Sequence, residues 1–156
     1  MTGLVVIGIG NSFRRDDGVG PAVSAELIAR GLDGVRVITC AAEPAALLDA
    51  WDGAALAVLV DAVVGDEPGR VRRCSMDDLA DAVPVSSHDL SVRQAYDLSR
   101  VLGRAPQSVV VVTVDAADTG HGQGLSPAVQ AALPDAVRIV LAIMLEQADE
   151  PAHQQS

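Results

Sequence analysis

The chain has 156 residues, 49% of them hydrophobic, and a formal charge of −10. That length and apolar content give one domain with a full core and exclude a largely disordered chain. The negative charge argues against nucleic acid and anionic membranes as partners. Aromatic residues make up only 2%, so Ala, Val and Leu must fill the core, as in buried parallel strands and the helices that cover them.

Leu4–Gly8 is an apolar run that reads as a first strand. It leads into Gly8-Ile9-Gly10-Asn11-Ser12-Phe13-Arg14-Arg15-Asp16-Asp17-Gly18-Val19-Gly20, a glycine-rich loop at the strand's carboxyl end. A dinucleotide fingerprint needs a third glycine where Phe13 stands, and a P-loop needs a lysine, which the chain lacks altogether. Asp16 and Asp17 would repel a phosphate despite Arg14 and Arg15 beside them, so the loop is suited to a positive ligand.

Gly20–Arg30 reads as a helix with Pro21 in its first turn, Val23, Leu27 and Ile28 facing inward, and Gly31 ending it. Val35–Thr39 is a second strand and Pro44–Trp51 a short helix. Ala55–Val60 is continuously apolar and belongs at the sheet centre. Gly69–Cys74 alternates and carries three arginines, which suits an exposed edge strand. Asp89–Leu102 is an amphipathic helix, Ser108–Val114 a buried strand, and Ser126–Gln147 a helix that Pro134 should kink or break. Strands alternating with helices predict a three-layer α/β/α domain over residues 1–146, with a twisted, mostly parallel sheet of about five strands. Residues 147–156 lose the apolar periodicity and read as a flexible tail.

The most apolar stretch, Ala54 to Val64, is interrupted by Asp61 and too short to span a bilayer. Cys40 and Cys74 form no C-x-x-C motif, and no signal peptide precedes the first strand, so a reducing cytoplasm is expected.

In α/β sheets of this kind, ligands bind beyond the carboxyl ends of the strands. Asp17 follows the first strand, Asp61 ends the central run, and His88 stands where a helix should open, all at that edge. Two carboxylates and an imidazole suit a borderline divalent ion such as Ni²⁺ or Zn²⁺, with positions left open for water or substrate. Each residue also has an ordinary reading. Asp17 reads equally as the N-cap of the first helix. Asp61, after five apolar residues, is costly to bury unless paired, hydrogen-bonded or metal-bound. His88 reads as a surface or capping-region histidine, although a helix's first turn disfavours imidazolium and keeps the ring able to ligate.

Asp16 either assists Asp17 or is solvated, and Asp115 and Asp118 either line the cleft or cap turns. His121 lies in a glycine-rich rim loop, and His153 is in the tail. No Gly-x-Ser-x-Gly elbow is present and neither cysteine has a motif context, so a covalent nucleophile is not expected.

Four motifs in order carry a resemblance that runs from Leu4 to about Leu145. They are Gly8 to Gly20, Val60-Asp61-Ala62, Ser86-Ser87-His88 and Gly124-Leu125-Ser126-Pro127. With this spacing the chain resembles the hydrogenase maturation proteases. The resemblance implies a twisted sheet sandwiched by helices. It also implies endoproteolysis of a [NiFe]-hydrogenase large-subunit precursor, from which a short C-terminal extension is removed after nickel insertion. The family's metal-contacting acid, aspartate and histidine map onto Asp17, Asp61 and His88. They read nickel held by the substrate, so no permanently bound cofactor is implied, though a divalent ion such as Ni or Zn suits the site. Where many members carry Asp-Gly-Gly-Thr after the second strand, this chain has Thr39-Cys40-Ala41-Ala42-Glu43-Pro44. Two other readings use the same three residues: a non-proteolytic nickel-sensing assembly factor, and a small-molecule hydrolase with a resident metal.

Overall fold

A computed structural model describes residues 3–41, 43–76, 83–84 and 88–149, with backbone alone for 83–84, 88–91 and 148–149. Six strands are seen among these residues: β1 (Leu4–Ile9), β2 (Val35–Cys40), β3 (Leu56–Val64), β4 (Val71–Cys74), β5 (Val83–Pro84) and β6 (Ser108–Ala116). The helices are α1 (Val19–Arg30), α2 (Pro44–Trp51), α3 (His88–Val101) and α4 (Pro127–Asp149), with a 3₁₀ turn at Arg15–Gly18. The sheet order is β2-β1-β3-β6-β4. Its first four strands are parallel, and β4 closes one edge antiparallel to β6.

Side-chain alternation along the strands sorts the core into two layers. Val6, Val58, Val60, Ala62, Val112 and Val114 pack with Val23 and Leu27 of α1 and Val129, Ala136 and Val140 of α4. Val5, Ile7, Ile9, Ala57, Leu59 and Val111 pack with Leu47 and Trp51 of α2 and Val92 and Ala95 of α3. The three-layer α/β/α architecture expected from the sequence is therefore present. On the second face Trp51 donates its indole N–H to Ser99 Oγ at 2.8 Å and meets Tyr96 edge-on, which fastens α3 to α2.

On the first face α1 packs unusually close. A Cβ on Gly8 would lie 2.2 Å from the Gly20 carbonyl oxygen, and one on Gly20 would lie 2.4 Å from that of Ile9. Both glycines are thus read by contact, which brings the start of α1 down onto β1 and β3.

Several expected boundaries shift. β3 runs on to Val64 and β6 to Ala116 because the two strands pair along their whole length. Asp61 therefore lies inside β3 and does not end it. Two-residue β5 pairs antiparallel with Val63 and Val64, too short a segment to leave a sequence signal. Pro134 does not break α4, which continues to Asp149 and so passes position 146. Proline removes one N–H to the Gln130 carbonyl, and the buried stripe through Val129, Ala132, Ala136, Val137 and Val140 holds the helix across that gap. Ile28, expected inside, is exposed, because Val19, Val23, Ser24 and Leu27 already fill the inward stripe. By length and composition α4 could cross a membrane, but its apolar stripe is spent on the sheet, as in the core helix of a globular domain.

Candidate active site

The carboxyl edge of the sheet begins with the turn after β1. Gly10 has φ +148°, and a Cβ there would lie 1.9 Å from the Asp17 carbonyl oxygen, so only glycine fits. Asn11 then builds an Asx turn, its Oδ1 accepting the Phe13 N–H at 2.9 Å. The Asn11 N–H donates back to the Asp17 carbonyl and to Asp17 Oδ2, both at 3.2 Å. Arg15, at φ 48°, takes the left-handed conformation that carries the chain into the 3₁₀ turn.

Asp16 and Asp17 are both fully buried in that turn, and they do different things. Asp16 reaches across to the β6–α4 loop. Its Oδ2 accepts the Ala117 N–H at 2.7 Å, the Asp118 N–H at 2.9 Å and the Ser126 hydroxyl at 2.8 Å. Its Oδ1 accepts the Ser126 N–H at 2.7 Å. Burial pushes the Asp16 carboxyl up, but these donations outweigh it and hold the group below its ordinary value. The Asp16 N–H donates to the Asp118 carbonyl, the Arg15 N–H to that of Gly122, and the Gly122 N–H to that of Phe13. Two loops separated by about a hundred residues are thus stitched into one unit. Of the two readings of Asp16, the solvated one is excluded by its full burial, and its tie to the β6–α4 loop was hinted at in the sequence only by the doubled acid and the Ser-Pro at the start of α4.

Asp17 does not N-cap α1. Gly18 occupies that position and no side chain caps it. The Asp17 carboxylate instead accepts the Asn11 N–H, and Arg14 Nη1 lies 4.0 Å from its Oδ2. Asp61 is buried, with Oδ1 accepting the N–H of Ala62 at 2.9 Å. Since Val60 and Ala62 belong to the α1/α4 layer, alternation turns Asp61 towards the α2/α3 side. Its cross-strand neighbour on that face is Thr113 of β6, whose own neighbour is Arg72 of β4.

His88 is the first residue of α3, as expected, and its side chain lies outside the described residues. The backbone still constrains its place. Pro84 pairs with Val63, two residues beyond Asp61, and four Cα steps keep His88 within about 15 Å of Pro84. Arg93 donates to the Met76 carbonyl at 2.9 Å and anchors the first half of α3. Among the described residues no group of three or more His, Cys, Asp or Glu is arranged to hold a metal.

The secondary candidates resolve into supports. Asp115 is buried, and its Oδ1 accepts from Arg72 Nη2 at 3.1 Å. Its carboxylate lies so close over Gly65 that a Cβ there would come within 2.1 Å. Asp118 caps its turn by accepting the Gly120 N–H at 2.9 Å, and pairs with Arg15 Nε at 3.5 Å. His121 is exposed on the stitched loop, and His153 lies outside the described residues. Cys40 and Cys74 are free and half-buried. Burial, with the charge of Glu43 added, pushes the Cys40 thiol up, which makes it a poor nucleophile at neutral pH.

Helices cover both faces of this mostly parallel sheet, and buried acids lie towards its carboxyl end, where ligands bind in α/β folds of this class. A family model described as hydrogenase maturation protease matches residues 22–143, and the chain belongs to that family of endopeptidases. The hydrogenase-maturating endopeptidase HybD from Escherichia coli superimposes with a TM-score of 0.82 at 22% identity, covering 94% of each chain. The [NiFe] hydrogenase maturation protease HybD from Thermococcus kodakarensis gives 0.78 at 23% identity, covering 91% of this chain and 99% of its own. HycI from Thermococcus kodakarensis KOD1 gives 0.68 at 26% identity, covering 91% of this chain and 90% of its own. A search of curated protein sequences returns no match.

Proposed function

We propose that this chain cuts the C-terminal extension from the large-subunit precursor of a [NiFe]-hydrogenase after nickel has been inserted, working in the cytoplasm. Family membership over residues 22–143 is the observation that carries this reading. It is supported by two buried acids, Asp17 and Asp61, at the sheet end where α3 opens with His88. Nickel is part of the substrate in this scheme. Asp17, Asp61 and His88 meet the ion that the precursor brings, and the meeting sets the scissile bond at the edge of the sheet. Water is the nucleophile, polarised by the ion or deprotonated by a carboxylate.

The test is mass spectrometry of a nickel-loaded precursor incubated with the protein, beside a nickel-free precursor. The expected result is loss of a short C-terminal peptide from the loaded sample alone. Asp61→Asn should abolish that loss, because the substitution removes both a ligand oxygen charge and a proton acceptor. Wild-type cleavage by Asp61→Asn would overturn the assignment. An intact precursor that co-purifies with the protein would replace the endopeptidase reading with the non-proteolytic assembly factor.

A further inference from the structure

We infer that Asp16, through Ser126, is the positioning residue that sets Asp17 for cleavage, an inference that rests on the endopeptidase reading above. An ionised carboxylate has about four acceptor sites, and Asp16 meets four donors: three backbone N–H groups and one hydroxyl. Oδ2 takes three of them and Oδ1 one, and the side chain has no solvent exposure, so the carboxylate is committed to holding the two loops together. Of the adjacent acids, Asp17 is the one that meets the substrate's ion in that reading, and Asp16 acts through it.

The linkage is short. Asp16 is the residue before Asp17 in a turn of four residues, and that turn is closed by Asn11 N–H onto the Asp17 carbonyl and Oδ2. The other side of the latch is equally fixed. Ser126 stands directly before α4, and its carbonyl accepts the Gln130 N–H of the first turn at 2.8 Å. Asp17 is thereby referenced to α4 and the end of β6 as well as to β1. All partners of Asp16 that come from the backbone are donors and cannot reverse. An asparagine must turn its NH₂ towards at least one of them, whichever way the amide is flipped. Asp16→Asn is therefore a conservative change in shape that opens the latch.

The experiment measures cleavage of the nickel-loaded precursor and amide hydrogen exchange together. In Asp16→Asn, turnover should fall about 100-fold, as expected for a displaced reactive group, while KM stays within about threefold. Exchange should quicken at Ala117, Asp118 and Ser126, and also at Asn11, whose N–H reports the placement of Asp17. Ser126→Ala should lower turnover by about fivefold, the loss of one hydrogen bond, and Ser126→Thr should restore it. Wild-type turnover in a folded Asp16→Asn variant overturns the inference while leaving the endopeptidase reading intact. If Asp16→Asn does not fold, the Ser126→Ala and Ser126→Thr pair decides, and equal turnover in both overturns it. If the wild-type chain cuts no precursor, the endopeptidase reading fails. The latch is then judged on exchange alone, and quickening confined to residues 117–126, with Asn11 unchanged, overturns it.

Discussion

Two buried acids support the carboxyl edge of the sheet by opposite means. Asp16 is satisfied by dipoles alone, four donors from the β6–α4 loop. Asp115 is satisfied by a charge, the Arg72 guanidinium on edge strand β4, whose side chain is 40% exposed. The first arrangement is enclosed and directional, so it fixes the position of a turn. The second is half open to water, so it can be screened and rearranged. A buried carboxylate in this fold is therefore not by itself a sign of catalysis; the number and kind of its partners decide which acids remain for chemistry.

The largest effect expected from this contrast is on stability. Asp16→Ala leaves three backbone N–H groups and a hydroxyl without their acceptor in an enclosed site, at about 1–3 kcal/mol each before relaxation and water entry. We expect a net loss of about 4 kcal/mol in urea denaturation. Asp115→Ala should cost about 1–2 kcal/mol, because Arg72 can turn into solvent. An Asp115→Ala loss equal to or greater than that of Asp16→Ala would break the comparison.

A second effect follows from protonation. The Asp16 carboxyl is held below its ordinary value in the folded chain. Its contribution is fully present above the unfolded-state value and is lost as pH falls through the folded-state value. The stability gap between wild type and Asp16→Ala should be constant down to about pH 4 and close below it. A gap that closes between pH 5 and 7 would mean that Asp16 is not held as an anion by these donors.

Much of this was legible in the sequence, and what was not has a common cause. Apart from two-residue β5, periodicity found the strands and helices because burial on one or both faces is a local pattern, as in the runs Leu4–Gly8 and Ala55–Val60, which the structure sets at Leu4–Ile9 and Leu56–Val64. Asp61 stood out because a charge interrupts a run in which every neighbour is buried. The latch could not be read, because Asp16 and Ser126 are 110 positions apart and no spacing encodes their meeting. The same holds for Arg72, whose alternation predicted an edge strand but not its buried partner, 43 residues on. Ile28 and Pro134 failed for a different reason: tertiary packing overrode a local rule in each.

The smallest effect is also the sharpest discriminator between the two supports. Arg72→Gln should cost about 1 kcal/mol at low salt, since half-exposed pairs gain little over hydration. Arg72 and Asp115 are screened once the Debye length shrinks to about 3 Å near 1 M salt. The difference between wild type and Arg72→Gln should then fall by about half. The difference between wild type and Asp16→Ala should not move, because its partners are fixed dipoles enclosed by the two loops. Parallel urea titrations at low and high sodium chloride would separate the two. Equal salt sensitivity would mean that water reaches Asp16 as freely as it reaches Arg72, and the enclosed support would be no different in kind from the open one.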